Sequence, residues 1–338
     1  MNTLAQYSTL TTDKILKGVL DTIVKESPLL ARLPFKEHIG NYFYFNIENA
    51  MATVNWYTVG DTWVEGANTW AQGGVLLTTM GGDVDTDKFA IKTKGDINDV
   101  RAVNIEGKAK AMAHEFDRAF IYGQTTTTSN AKELKGLLKW IANYENTDLT
   151  TADLDSAHND QVILNDSTVG TERALVITKL DELIDAVRPG KPDCLMIDRR
   201  TRRFLNSLAY ASASSPIRVA KDEFGQFIAL YNEIPVVIND FMLDNAPDST
   251  DSSDYALAIA NYAVATARSG SADRSFVFAL RFDEQNGVCG IQNGAMEHED
   301  LGELETKRAY RNRFAWDCGV VMLGKKCAAV LINAGDCA

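Results

Sequence analysis

Residues Asn98 to Gly123 predict one long amphipathic helix, and everything else must pack around it. Val100, Val103, Met112, Phe116, Ala119 and Phe120 fall on one stripe, filled in by Ala109 and Ala113, and Asp96 or Asn98 can cap its start. About 25 residues at 1.5 Å each make a rod of roughly 37 Å. Gly123 ends it, a polar Thr-rich loop runs from Gln124 to Asn130, and Leu134-Lys135-Gly136-Leu137-Leu138 follows. The stretch before the rod is β-rich and holds no helix to pack on. A spine helix beside a hairpin too extended to bury itself is the pattern of a building block completed by its neighbours.

From Tyr42 to Lys94 the hydrophobic period is two. Phe43, Phe45 and Ile47 share one face, and Tyr42, Tyr44 and Asn46 share the other. At the far end Phe89 and Ile91 alternate with Lys88, Lys92 and Lys94, which predicts an exposed strand edge guarded by lysines. Between them lie Trp56, Trp63 and Trp70 among Gly60, Gly66, Gly73, Gly74, Gly81 and Gly82. A long two-armed hairpin fits this pattern. An arm of about 20 extended residues reaches roughly 65 Å, so its tryptophans would be wet in a monomer and are expected to be covered by other subunits.

The N-terminal segment repeats apolar residues at helical spacing, Ile15-Leu16, Val19-Leu20 and Ile23-Val24, capped by Thr12 or Asp13 and stopped by Ser27-Pro28. Ala31 to Phe35 reads as extended. The residues leave two partners open for the stripe: the chain's own core, or another subunit.

Residues 150 to 275 read as a separate α/β region. Thr178 to Arg188 is a helix ended by Pro189-Gly190, Cys194 to Ile197 a short buried strand, and Asp198 the cap of a helix carrying Arg199 to Leu208. Ile234 to Ile238 reads as another strand, Asp244 to Asp254 as a flexible acidic loop, and Tyr255 to Ala267 as buried. The remainder is strand-rich, through Phe276 to Phe282, Gly287 to Ile291, Thr306 to Leu323 and Ala328 to Ile332.

Composition narrows the function classes. A chain of 338 residues favours two or three domains over a single core. With a net charge of -12, broad attraction to phosphate backbones is not expected; the dense cluster Arg199-Arg200-Thr201-Arg202-Arg203 reads as the solvated face of a helix. Five cysteines (Cys194, Cys289, Cys318, Cys327, Cys337) without a CxxC pair suggest free, mostly buried thiols in a reducing compartment. Met1 to Gln6 lacks the basic region and apolar run of a signal peptide, and no stretch approaches the ~18 apolar residues of a membrane span.

Chemistry is hard to find. Asp83-Val84-Asp85-Thr86-Asp87 has the oxygen spacing that begins a calcium loop, but Lys88 stands where glycine is needed and Lys94 where a bidentate Glu is needed, so an acidic turn is expected. Glu297-His298-Glu299-Asp300 offers one histidine with no partner at ligand spacing, and His38, His114 and His158 are scattered. No G-x-S-x-G, H-E-x-x-H or G-x-x-x-x-G-K-[ST] occurs. A Cys–His nucleophile is left open, since such partners are distant in sequence. No catalytic, cofactor-binding or metal-ligating residue stands out.

The order of elements resembles that of major capsid proteins of tailed bacteriophages, which have the Hong Kong 97-type fold. The residues that carry it are Thr62-Trp63-Val64-Glu65-Gly66 in the hairpin, the spine helix ending Phe116 to Gly123, and Lys135-Gly136-Leu137-Leu138. Glu233-Ile234-Pro235-Val236-Val237 resembles the family's apical-domain strand, and Trp316-Asp317-Cys318-Gly319-Val320-Val321 with Lys325 to Val330 its closing strands. The resemblance implies a mixed α/β fold in five parts: an N-terminal arm (1–40), an extended hairpin loop (41–96), a peripheral domain with the spine helix (97–145), an α/β apical domain (146–275), and return strands completing the peripheral domain (276–338).

It further implies a non-enzymatic structural protein of the virion, without cofactors. Such a chain self-assembles in the host cytoplasm, as hexamers and pentamers, into an icosahedral head enclosing double-stranded DNA without sequence-specific binding. Its implied partners are a separate scaffolding protein, a portal and a decoration protein, with no membrane. Expected subunit contacts are Ile15, Val19 and Ile23 on the arm, with Trp56, Trp63, Glu65, Trp70, Phe89 and Ile91 on the hairpin. Some members cross-link a hairpin lysine to a distant asparagine; Lys88, Lys92 and Asn333 are present, but nothing selects them and no cross-link is expected. Two other readings compete: an encapsulin-like compartment around cargo enzyme, and a cytoplasmic enzyme whose groups converge from the α/β region.

Overall fold

The computed structural model describes residues 29–94, 100–123, 132–145, 161–164, 173–175, 177–211, 217–221, 227–242 and 274–335. The expected N-terminal helix with Ile15, Val19 and Ile23, the Thr-rich loop, the acidic loop and the Tyr255–Ala267 stretch lie outside these residues.

The spine helix is present as α3 (Val100–Tyr122), following α1 (Leu29–Arg32) and α2 (Lys88–Lys94). Its two halves pack differently. Near the N-terminus it lies on strand β4 (Thr78–Asp87) through polar side chains, Asn104 Nδ2 donating to Thr86 Oγ1 at 3.1 Å. Towards the C-terminus Met112, Phe116, Ala119, Phe120 and Ile121 are buried. The helix stops at Gly123, whose N–H bonds back to the Ala119 carbonyl at 2.7 Å. A Cβ on Gly123 would meet the Leu134 carbonyl at 2.3 Å, and one on Gly136 would meet the Gly123 nitrogen at 2.4 Å. Glycine at both positions therefore lets α4 (Leu137–Glu145) start against the end of α3. Trp140 of α4 is buried and donates its indole N–H to the Val320 carbonyl at 2.9 Å.

An eight-stranded sheet carries the larger core. Its path runs β5 (Val162–Leu164), β15 (Ala328–Gly335), β11 (Arg274–Leu280), β7 (Cys194–Ile197), β10 (Ile234–Ile238), β9 (Phe227–Tyr231), β8 (Ile217–Lys221), with β6 (Arg173–Ala174) also on β15. The central strands read as unbroken apolar runs because both faces are covered. Phe276, Phe278, Leu280, Cys194, Met196 and Val330 face the cluster that includes Phe116, Phe120 and Leu138. Their alternates Val277, Ala279, Leu195, Ile197 and Leu331 face Leu180 and Leu183 of helix α5 (Ile177–Ala186). Asp198 caps helix α6 (Arg199–Ala211), its Oδ1 accepting from the Thr201 N–H at 2.7 Å, as expected from sequence.

A second sheet orders β1 (Phe35–Glu37), β12 (Val288–Gln292), β14 (Ala309–Met322) and β13 (Glu297–Glu303), with β4 also pairing β14. Four expectations fail here. The hairpin does not run on to Lys94: its arms are β2 (Tyr42–Ala50) and β3 (Thr69–Leu76), and β4 leaves it for β14. Residues 88–94 form helix α2, not a lysine-guarded strand. Asp87 caps it, accepting from the Phe89 N–H at 2.6 Å, a signal hidden by the short period-two pattern. Asp83 to Asp87 is strand rather than acidic turn, its alternate carboxylates meeting arginines of β14. Residues 29–32 are helical, with Leu33 N–H bonding to the Leu29 carbonyl at 2.8 Å; only from Phe35 does the chain extend, parallel to β12.

Candidate assembly surface

The β2–β3 ladder pairs Tyr42 with Leu76 through to Ala50 with Thr69, and residues 51–68 continue beyond it. This tip has no core, yet local bonds hold its shape. Asn68 donates to Glu48 Oε1 at 2.8 Å and accepts from the Ala52 N–H at 2.6 Å, bridging the two arms. Asp61 Oδ2 accepts from both the N–H and the hydroxyl of Thr58, at 2.7 and 2.6 Å, closing the turn that contains Gly60 at φ +102°. Those bonds hold the Asp61 carboxyl below the usual carboxylate range. Tyr57 stacks on Trp63 with ring centroids 4.6 Å apart, and its hydroxyl accepts from the Val64 N–H at 2.9 Å. A Cβ on Gly66 would lie 2.7 Å from the Thr53 carbonyl oxygen, so the arms touch there through backbone.

The apolar side chains of this shaped tip face solvent. Trp56 is fully exposed, Trp63 78% and Trp70 68% exposed, and Glu65 beside them is exposed too. Met51, Val54 and Val59 join them, as do Tyr44 on β2 and Ile39 just before it. Sequence reasoning singled out the tryptophans and missed these aliphatic companions, although Val54 stands two residues from Trp56 on an extended chain. Exposed apolar residues thus run along the hairpin from Ile39 and Tyr44 to its tip.

Phe89 and Ile91 do not belong to that surface. They sit on α2, which is tied to the β13–β14 turn by Lys88 N–H to the Arg308 carbonyl (3.1 Å) and by the Lys88–Glu303 ion pair. Phe89 is exposed there and Ile91 half-buried. The structure thus brings Trp56, Trp63, Glu65 and Trp70 together on the hairpin and separates Phe89 and Ile91 from them.

The histidine singled out from sequence is engaged in structure. His298 lies beside Phe314, its Nε2 3.3 Å from Asn312 Oδ1, and Asn312 Oδ1 also accepts from Arg101 at 3.0 Å. Among the described residues no group of three or more His, Cys, Asp or Glu converges on a metal position. No described helix is long and apolar enough to cross a membrane.

The comparisons with known proteins agree with a shell subunit. The structure resembles the SrpI encapsulin of Synechococcus elongatus PCC 7942, at 14% identity and a TM-score of 0.60 over 99% of this chain and 96% of that one. It equally resembles a chain from the capsid of a native GTA particle (11% identity, TM-score 0.60, 96% and 95% covered). A chain of Microbacterium phage Oxtober96 is similar as well (12% identity, TM-score 0.59, 97% and 98% covered). No curated protein sequence matches. These likenesses establish the Hong Kong 97-type fold and do not separate capsid from encapsulin. What separates them is the family model for SU10 major capsid proteins, which matches residues 84–279, more than half of the sequence. The chain belongs to the SU10 major capsid protein family, as a self-assembling subunit of the virion shell of a tailed phage.

Proposed function

We propose that copies of this chain join as hexamers and pentamers into the icosahedral head, and that the β2–β3 hairpin supplies a principal contact between them. The observation that carries this reading is the tip itself: Trp56, Trp63 and Trp70 are presented to solvent on an arm held in shape by its own hydrogen bonds. Exposed tryptophans cost solubility unless covered, and pre-ordering lowers the entropy lost on docking. The N-terminal arm with Ile15, Val19 and Ile23, and α2 with Phe89 and Ile91, add separate contacts. Each is weak alone, and the closed lattice gains strength by multivalency.

In this reading the chain performs no catalysis and needs no cofactor. A separate scaffolding protein directs assembly in the host cytoplasm, a portal occupies one vertex, and a decoration protein binds outside. DNA is held by enclosure, consistent with the chain's charge of -12. The working division keeps arm 1–40, peripheral domain 97–145, apical domain 146–275 and return strands 276–338, with the hairpin of the 41–96 segment confined to Tyr42–Leu76. Electron microscopy of the purified protein, alone and with its scaffold, tests the assembly: closed shells or capsomer rings support it, and a homogeneous small species under both conditions overturns it. Boiled particles should run as monomers on a denaturing gel, because Lys88 is engaged with Glu303 and Lys92 lies on α2, off the hairpin. Ladders of covalent oligomers would refute that part.

A further inference from the structure

A cleft of about 550 Å³ opens where the C-terminal turn of α5 meets the β9–β10 turn, away from the hairpin. That volume is in the range of small-molecule sites. Its floor is apolar and buried, made by Ile184, Val187 and Ile234. Its rim carries three cations, Arg188, Lys191 and Arg218, against two carboxylates, Asp185 and Glu233. In a chain with 46 acidic and 34 basic residues, this reverses the prevailing sign.

Both lips are pinned. The Arg188 N–H bonds to the Lys326 carbonyl at 2.7 Å, and the Arg281 guanidinium donates to the Pro189 carbonyl. Across the cleft, the Tyr231 hydroxyl and the Asn232 amide donate to Asp181 of α5 at 2.8 and 3.2 Å. The turn between them holds Asn232 and Glu233 at φ 49° and 70°, a left-handed conformation that fixes where Glu233 stands. Glu233 pairs with Lys191 at 3.6 Å. Neither Arg188 nor Arg218 has an ion-pair partner among the described residues. Two guanidinium groups lining one cleft with an apolar base suit a phosphate attached to a ring system.

We infer that this cleft binds a small phosphorylated molecule of the nucleotide class, with Arg188 and Arg218 on the phosphate oxygens and Ile184, Val187 and Ile234 beneath the ring. Asp185 and the carbonyl end of α5 oppose an anion, so the arginines are the source of affinity.

Calorimetric titration of the full chain with ATP and, separately, with inorganic pyrophosphate tests the site. One saturable ATP site per chain is expected, weakened about tenfold or more by combined Arg188→Ala and Arg218→Ala. Glu233→Gln should tighten it by freeing Lys191, and Arg203→Ala on α6 should leave it unchanged. Circular dichroism checks that each variant is folded. Absence of saturable binding, or equal loss in the Arg203→Ala control, would overturn the site. Pyrophosphate binding as tightly as ATP would overturn the role given to the apolar floor. None of these readouts depends on shell assembly, so the cleft and the hairpin stand or fall separately.

Discussion

Arg311 stands directly opposite Asp85 across the β4–β14 ladder, and its guanidinium meets both carboxylate oxygens, Nε to Oδ1 at 2.7 Å and Nη2 to Oδ2 at 2.8 Å. Two positions along, Arg313 meets Asp83 in the same way at 2.8 and 3.1 Å. The two strands are more than two hundred residues apart in sequence. A slip of one residue would send both arginines to the other face, so the paired forks help to set the register that joins the hairpin region to the end of the chain.

The Arg311 bond holds the Asp85 carboxyl below its ordinary value of 3.8. A depressed carboxylate contributes stability above that ordinary value, and the contribution is lost as pH falls through the depressed one. Asp85→Asn should therefore lower subunit stability at pH 7 by about 0.5–1 kcal/mol, a figure reduced for solvent screening. The gap to the parent should narrow as pH falls below that ordinary value of 3.8. Thermal melts of both proteins across pH 2.5–7 measure this, and a gap that persists in acid would refute it.

Gly136→Ala should be strongly disruptive for its size. The added methyl would meet backbone at 2.4 Å from the Gly123 nitrogen and 2.9 Å from its oxygen, and backbone cannot swing aside like a side chain. Overpacking of this kind costs about 1–3 kcal/mol. Alanine at Gly107, where nothing lies within 4 Å, should be neutral or stabilising because the residue is mid-helix. Denaturant midpoints of the two variants compare them directly.

Replacing Trp56 and Trp63 by alanine should separate folding from assembly. Both side chains are exposed, so the melting behaviour of the subunit should change by no more than about 0.5 kcal/mol in stability. Shell yield by sedimentation should collapse. Normal shells from the double variant would remove the hairpin from the list of subunit contacts.

Burial pushes the thiols of Cys194, Cys318 and Cys327 up to about 12 and that of Cys289 to about 11. As the thiolate is the reactive form, these four should stay silent to a disulfide reagent at pH 8 in the folded subunit. A Cys337→Ser background removes the fifth cysteine, which lies outside the described residues. Four thiols should then appear only after addition of denaturant, and rapid native labelling would contradict their burial.

Local pattern determined much of this protein without help. Val100 to Tyr122 has a stripe and a glycine stop, Cys194 to Ile197 is too short and apolar to be anything but a covered strand, and Asp198 is a cap by residue type alone. These features depend on neighbours in sequence, and so does the surplus of tryptophan on an arm that cannot bury it. Tertiary structure decided what depends on distant partners. Residues 88–94 fit either period until Asp87 caps them and Ala90 packs against Val100. Asp83 and Asp85 look like a turn until Arg313 and Arg311 arrive from the other end of the chain. The hairpin therefore ends at Leu76 because β14 competes successfully for the strand that follows, and an extended backbone carries no local mark of which edge it will join.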